Sequence, residues 1–281
     1  MTMHMNGNSV GLGAQLLAER LRHEERLLMQ AFEAVGQTAT LISPENQALD
    51  LAVPTATGRV VVSRVPASLE SATLAALLAD AGALVVNGPE LTALLADRVF
   101  ALRRLRAAGL ATVAATFATG EEGMLAAIRR HGYPSLLSPL DATASSALIH
   151  DRESAEAIVE HRVVLGGLQA ALVRPAFPEH VVRRLIIAGD ATFAATRQGW
   201  PADGAEWQPV DVTATDRALA NKLRGVLGSE TYEVELLAGD EPLILEISAL
   251  STFREFHAAG YDVAGAIVRL TQAQRVAVAD A

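Results

Sequence analysis

The chain of 281 residues contains no cysteine. Disulfides, thiolate metal sites and cysteine nucleophiles are therefore excluded, and a cytoplasmic protein is the simplest expectation. Aromatic residues make up only 4% of the sequence, too few for the stacking platforms that single-stranded nucleic acid requires. The formal net charge of -9 opposes nucleic acid and anionic membrane surfaces as partners. No apolar run approaches the ~20 residues that span a bilayer. The N-terminal MTMHMNGNSVGLG lacks the basic and apolar regions of a signal peptide and reads as a flexible tail over residues 1–13. Its Gly7, Gly11 and Gly13 follow no strand, so a phosphate loop is not expected there. The histidines are scattered, with no pair one helical turn apart, so a His-x-x-x-His zinc site is absent.

What is present is alternation. A hydrophobic content of 51% allows a large core, and short apolar strands alternate with amphipathic helices from the start. Strands are expected at 15–18, 38–42, 59–65 and 83–86. Helices are expected at about 20–35, with Leu27, Leu28, Ala31, Phe32 and Val35 on one face, and at 69–81. This first part reads as a small parallel α/β domain that ends at the turn Asn87-Gly88-Pro89. A single arginine-bearing helix is expected over 90–108, a strand over 112–118, and helices over 121–130 and 154–161. Between those last two, HGYPSLLSPLDATASSALIHD reads as strand, loop and strand. Strands at 168–174, 181–188 and 191–197 follow with short turns and predict an antiparallel sheet. A helix at 214–227, a hairpin at 232–247 around Ala238-Gly239-Asp240, and a helix at 263–272 complete the chain. The stretch 198–212 reads as a long loop of the kind that often carries function.

The order of these pieces resembles the ATP-grasp ligases, within them the RimK-like group and most closely the LysX ligases of lysine biosynthesis. The resemblance runs from about 13 to 271. It is carried by "RLRHEERLLMQAFEAVG", "VVNGPE", "HGYPSLLSP", "HRVVLGGLQ", "VRRLIIAGD" and "LILEISALSTFREFHAAGYDVAGAI". It implies an α/β fold with an α+β C-terminal part: a pre-ATP-grasp domain over 14–87, a central subdomain over 88–172, and a C-terminal subdomain with an antiparallel sheet over 173–281. The group joins a carboxylate to an amine through an acyl phosphate, with ATP and Mg²⁺. Its LysX branch attaches α-aminoadipate or glutamate to the C-terminal glutamate of a small acidic carrier protein.

Carried over by position, the resemblance implies phosphate or nucleotide contacts at Arg98, Ser138 and Arg174. It implies metal ligands at Glu235, Glu246 and Ser248, arginines for the transferred phosphate and acyl oxygens at Arg184 and Arg197, and a substrate contact at His257. Lys222 matches a lysine of the group without an assigned role. Several positions depart from the pattern. Two lysines of the group are replaced, by Arg98 and Ser138, and an acidic hinge residue by Arg174, followed by Pro175. Arginine keeps the charge but not the shape of an ammonium. The loop from Asp141 to Ala147 has no glycine, although glycine is what lets a backbone approach phosphate closely. Apart from the resemblance, Glu246 in its apolar strand calls for a partner, with Arg184 or Arg197 as the expected ion pair. Likewise Arg98, Arg103, Arg104 and Arg106 read either as an anion-binding face or as a solvated helix face.

These departures predict a non-catalytic, regulatory or scaffolding relative, and the alternative is an active ATP-dependent carboxylate–amine ligase. A homodimer or homotetramer is expected, with an intact LysX-like ligase or the carrier protein as further partners.

Overall fold

The computed structural model describes residues 13–45, 59–201, 206–239 and 241–279. The expected tail with Gly7 and Gly11, and Asp240 of the hairpin turn, lie outside the described residues. Three sheets organise the rest. The first holds β1 (Ala14–Leu17), β2 (Ala39–Ile42), β3 (Val60–Ser63) and β4 (Leu84–Val86), all parallel in the order β2-β1-β3-β4. Parallel strands covered on both faces need continuous apolar runs, and β3 is buried throughout. Helices α1 (His23–Ala34) and α2 (Leu69–Asp80) provide the crossovers. Ser68 caps α2 by accepting a hydrogen bond from the Ser71 amide at 3.1 Å. Val35, expected on the buried face of α1, lies just beyond its end and is 45% exposed.

The expected helix over 90–108 is two helices, α3 (Pro89–Ala96) and α4 (Arg98–Ala107). Asp97 between them is extended, and its carboxylate accepts from the amides of Val99 and Phe100 at 2.7 and 3.0 Å. An aspartate that satisfies two free amides starts a helix of its own rather than continuing the previous one.

The middle sheet is antiparallel, in the order β5-β8-β6-β7: β5 (Thr116–Thr119), β6 (Ser135–Pro139), β7 (Ala147–Ile149) and β8 (Ala170–Pro175). Helices α5 (Gly120–His131) and α6 (Arg152–Glu160) cover one face through Met124, Ile128 and Val159. Two expectations are corrected here. The strand predicted at 112–118 begins only at Thr116, because Val113 turns away to donate its amide to Ile244 at 2.9 Å. The strand predicted at 168–174 exists but does not join the last sheet. It inserts between β5 and β6, with Leu136 opposite Arg174.

The last sheet is antiparallel in the order β11-β10-β9-β12-β13, with β9 (Phe177–Ala188), β10 (Ala191–Trp200), β11 (Gln208–Val210), β12 (Thr231–Leu237) and β13 (Leu243–Ser248). Residues 198–200 and 208–210, expected as loop, are therefore strand. Gly189 makes the β9–β10 turn with a φ of +56°, and a side chain there would also meet Leu270. One face of this sheet packs on α3, α4 and α7 (Ala214–Leu227) through Leu185, Ile187, Val234 and Leu236. Part of the other face meets α1, α8 (Arg254–Ala258) and α9 (Val263–Ala279) through Ile186, Ala195 and Phe256. The remainder of that second face turns toward the middle sheet and forms a cleft. No described helix is long and apolar enough to cross a membrane.

Candidate functional site

Strand alternation builds the cleft wall. The register sets Glu235 opposite both Arg184 and Glu246, Glu233 opposite Ser248, and Arg197 opposite Val182. Side chains two residues apart share a face, so Arg184, Arg197, Glu233, Glu235, Glu246 and Ser248 all project from the same side of the sheet. Arg183 points the other way and pairs with Asp216 at 2.5 Å. Across the cleft stand Ser138 on β6 and Arg174 on β8, with a cavity of about 250 Å³ between the walls.

Every cation here has a protein carboxylate within reach. Arg197 bonds Glu235 at 3.0 Å. Arg184 bonds Glu255 and the Thr252 hydroxyl and lies 3.6 Å from Glu233. Glu246 receives Arg98 on one oxygen at 3.1 Å and Arg174 on the other at 2.8 Å. The expected pairing of Glu246 with Arg184 or Arg197 is thus corrected. From β13, at the sheet edge, Glu246 faces the middle sheet and α4, and it takes their arginines instead. Arg174 is only 1% exposed and also donates to the Leu245 carbonyl at 2.6 Å and the Ser138 hydroxyl at 3.0 Å. The charge absent at Ser138 is therefore present beside it, delivered from the neighbouring strand.

The two tryptophans complete this arrangement. The Arg174 guanidinium lies 4.9 Å from the Trp200 ring, while those of Arg197 and Arg184 lie 4.1 and 4.6 Å from Trp207. Such stacking favours a desolvated guanidinium.

The loop after β6 is also committed. Three of its amides already have partners: Ala142 donates to the Ala96 carbonyl of α3 at 3.0 Å, Thr143 to the Asp141 side chain at 2.7 Å, and Ala144 to the Asp141 carbonyl at 3.2 Å. Its carbonyls converge on Arg98, which donates to Pro139 at 2.8 Å, Ala142 at 3.0 Å, Ala144 at 3.1 Å, and Asp141. A phosphate cradle presents amides to an anion. This loop presents carbonyls to a cation. Arg98 is accordingly neither a free anion-binding group nor part of a solvated face. Arg103 and Arg104 are exposed, and Arg106 bonds the Val113 carbonyl at 2.6 Å.

Burial sets the acidities. It pushes Glu233 up to about 7 against the pull of Arg184, with neighbouring Glu235 adding to the rise. Burial likewise raises Glu235, although Arg197 opposes it, and lowers Arg197 itself. Behind the cleft, Arg64 ties the first sheet to the last by donating to Glu25 at 3.2 Å and to the Ser251 carbonyl at 2.8 Å.

The remaining candidates lie apart. The Ser248 hydroxyl accepts from the Leu250 amide at 3.1 Å and so closes a local turn, while its residue still borders the cavity. His257 is exposed on α8, 6.0 Å from the His23 ring and outside the cavity lining. Lys222, the chain's single lysine, is exposed on α7. Among the described residues no group of three or more histidine, aspartate or glutamate side chains is arranged to hold a metal ion. Glu233 and Glu255 are not among the expected site residues, whereas Trp200 and Trp207 lie in the stretch 198–212 expected as a functional loop. Glu233 carried a signal, since it stands two residues before Glu235 on a strand.

Comparison with known proteins agrees with this architecture. Residues 14–94 match the LysX preATP-grasp domain. A RimK domain ATP-grasp protein from Sphaerobacter thermophilus is 39% identical with a TM-score of 0.81, over 92% of this chain and 98% of its own. The D-alanine–D-alanine ligase of Bacillus anthracis, solved with ATP, shares the fold at 12% identity, with a TM-score of 0.68 over 95% of this chain and 98% of its own. So does the ATP-grasp ligase PsnB, solved with a precursor variant, Mg and ADP, at 15% identity and a TM-score of 0.70 over 93% and 98%.

Proposed function

Because the chain belongs to the RimK-like ATP-grasp family, we propose that it is a non-catalytic member, a regulatory or scaffolding relative of the LysX-like ligases. The observation that carries this reading is the Arg98–Glu246–Arg174 lock, in which Arg98 also holds the carbonyls of the loop after β6. ATP and Mg²⁺ do not fit the residues as they stand. The loop amides of 142, 143 and 144 are already engaged. The carboxylates a metal would need, Glu235 and Glu246, accept arginines. The cavity of about 250 Å³ falls below the ~300–1,000 Å³ usual for small-molecule sites. Entry of a triphosphate would strip several charge-assisted hydrogen bonds, each costing on the order of 1.5–3 kcal/mol if not replaced.

In this role the protein acts in the cytoplasm as a homodimer or larger, or as a partner of an intact LysX-like ligase or its small acidic carrier. Light scattering on the full chain tests self-association, and a monomer at micromolar concentration counts against it.

A second reading, an active ligase that attaches α-aminoadipate or glutamate to a carrier glutamate, draws on one feature. Glu235 and Glu246 still face each other at the group's metal positions, with Arg184 alongside. Under it, Arg184 and Arg197 would hold the acyl phosphate, and His257 the substrate. Calorimetry with Mg-ATP, together with an ADP-release assay, separates the two. The non-catalytic reading expects no submillimolar binding and no turnover. Submillimolar binding abolished by Glu246→Ala promotes the ligase.

A further inference from the structure

We propose that the outer faces of α4 and α7 form a docking surface for an acidic segment of a partner protein, one that presents an apolar side chain between carboxylates. The two helices pack beside each other on the face of the last sheet opposite the cleft. The inference therefore goes beyond the reading of the cleft and holds whether or not the cleft takes a nucleotide.

The first ground is charge segregation on a chain whose formal net charge is -9. In α1, α5 and α6, exposed arginines share the helix with exposed glutamates. By contrast, α4 and α7 expose Arg103, Arg104, Arg106, Arg217 and Lys222 and no acid. Asp97 is committed to capping α4, and Asp216 is buried against Arg183. Arg106 is held by the Val113 carbonyl, but the other four side chains have no hydrogen-bond or carboxylate partner among the described residues. The helix dipole accounts for cations in the last turn of α4, yet it opposes Arg217 in the first turn of α7. A local field of this sign attracts an anionic partner despite the opposite net charge of the chain.

The second ground is an apolar strip inside that field. Ala101, Leu102 and Leu105 turn one side of α4 to the core. Phe100, Arg103, Arg104 and Ala107 turn outward, at the i, i+3, i+4 and i+7 spacing of a single helix face. Phe100 is 57% exposed, in the middle of the charged surface. An aromatic ring beside arginines is the composition that binding interfaces concentrate at their centres.

Together the two grounds select the occupant. A single-stranded nucleic acid would meet the cations, but it binds through several stacking rings, and this surface has Phe100 alone. An anionic bilayer calls for a broad apolar face, and here the apolar strip is narrow and fenced by charge. An acidic polypeptide segment answers both features. Its carboxylates pair with Arg103, Arg104 and the cations of α7, and its apolar side chain covers Phe100 and Ala107. Charge complementarity then guides the encounter, and the apolar contact sets the register.

The test is fluorescence anisotropy on the full chain with a labelled synthetic peptide of glutamates that carries two leucines one helical turn apart. Two probes are set against it: the same peptide with both leucines replaced by alanine, and a labelled oligouridylate of equal charge. The leucine peptide should bind saturably, and its affinity should fall as salt is added. The alanine peptide should bind about fivefold more weakly or worse. Arg103→Ala combined with Arg104→Ala should weaken the leucine peptide at least about tenfold, and Phe100→Ala about fivefold. All three side chains are exposed, so the melting temperature should stay put in these variants. The comparison of the probes uses the wild-type chain and does not depend on any variant folding. Equal binding of the leucine and alanine peptides overturns the inference, as does oligouridylate binding as tight as the leucine peptide. Unchanged binding in either variant, or no saturable binding of the leucine peptide, also overturns it. None of these outcomes bears on the non-catalytic reading, because Mg-ATP is absent throughout.

Discussion

In the first sheet Leu16, Val61 and Val62 are fully buried and need only packing, whereas in the cleft Arg174 and Arg184, each 1% exposed, are held by carboxylates, hydroxyls and aromatic rings. The difference concerns how each region tolerates change. Apolar strands accept any side chain of similar volume. A buried charge network accepts almost none, because removing one member strands another. In the cleft the charges are turned on one another, Arg98 and Arg174 on Glu246 and Arg197 on Glu235.

Substitutions of matched size sharpen the contrast. Glu246→Gln keeps the volume but leaves Arg98 and Arg174 without a counter-charge, and it should cost about 3–5 kcal/mol in urea unfolding. A loss below about 1 kcal/mol would mean that the lock contributes little.

The joint between the two regions should respond to pH. Glu230, whose carboxylate lies 3.4 Å from the Gly88 amide, is pushed up by burial to about 7 from an ordinary 4.5. A carboxyl raised in the folded state holds its proton more tightly there than when unfolded. Its contribution to stability is therefore full below about 4.5, declines as pH rises from 4.5 to 7, and stays low above. Its share of the drop should be on the order of 3 kcal/mol, and Glu230→Gln should remove that share while leaving the parallel contribution of Glu233, which burial also raises to about 7. An unchanged pH profile in that variant would place the titration elsewhere.

In the first sheet, Leu16→Met should cost under about 1.5 kcal/mol despite complete burial. At the surface, Arg152→Ala breaks a 3.0 Å pair with Glu156 whose members are 84% and 56% exposed, and it should leave urea unfolding essentially unchanged. If Arg152→Ala proved as costly as Glu246→Gln, burial would not be what separates the two regions.

Much of this was legible in the sequence because alternation and turns are local. The parallel first sheet, the hairpin of β12 and β13, and α7 follow from periodicity and caps alone. Partner choice is not local. Nothing in "LQAALVRP" says that β8 joins β5 and β6 rather than β9, since the same apolar pattern suits either sheet. The destination of Arg174 followed from that choice, so its bond to Ser138 could not be read in advance. Long arginines compound the problem, since Arg98 reaches Glu246, 148 residues away in sequence. The break at Asp97 could have been read, because an aspartate before an arginine-rich helix is an N-cap signal.

The cleft cations are occupied by the protein itself. Both tryptophans stack on cleft arginines, so their fluorescence reports directly on that occupancy. Titrating the full chain with Mg-ATP should leave the emission unchanged through the submillimolar range. A saturable change at submillimolar nucleotide, abolished by Glu246→Ala, would show that the lock opens for ATP and would contradict the account.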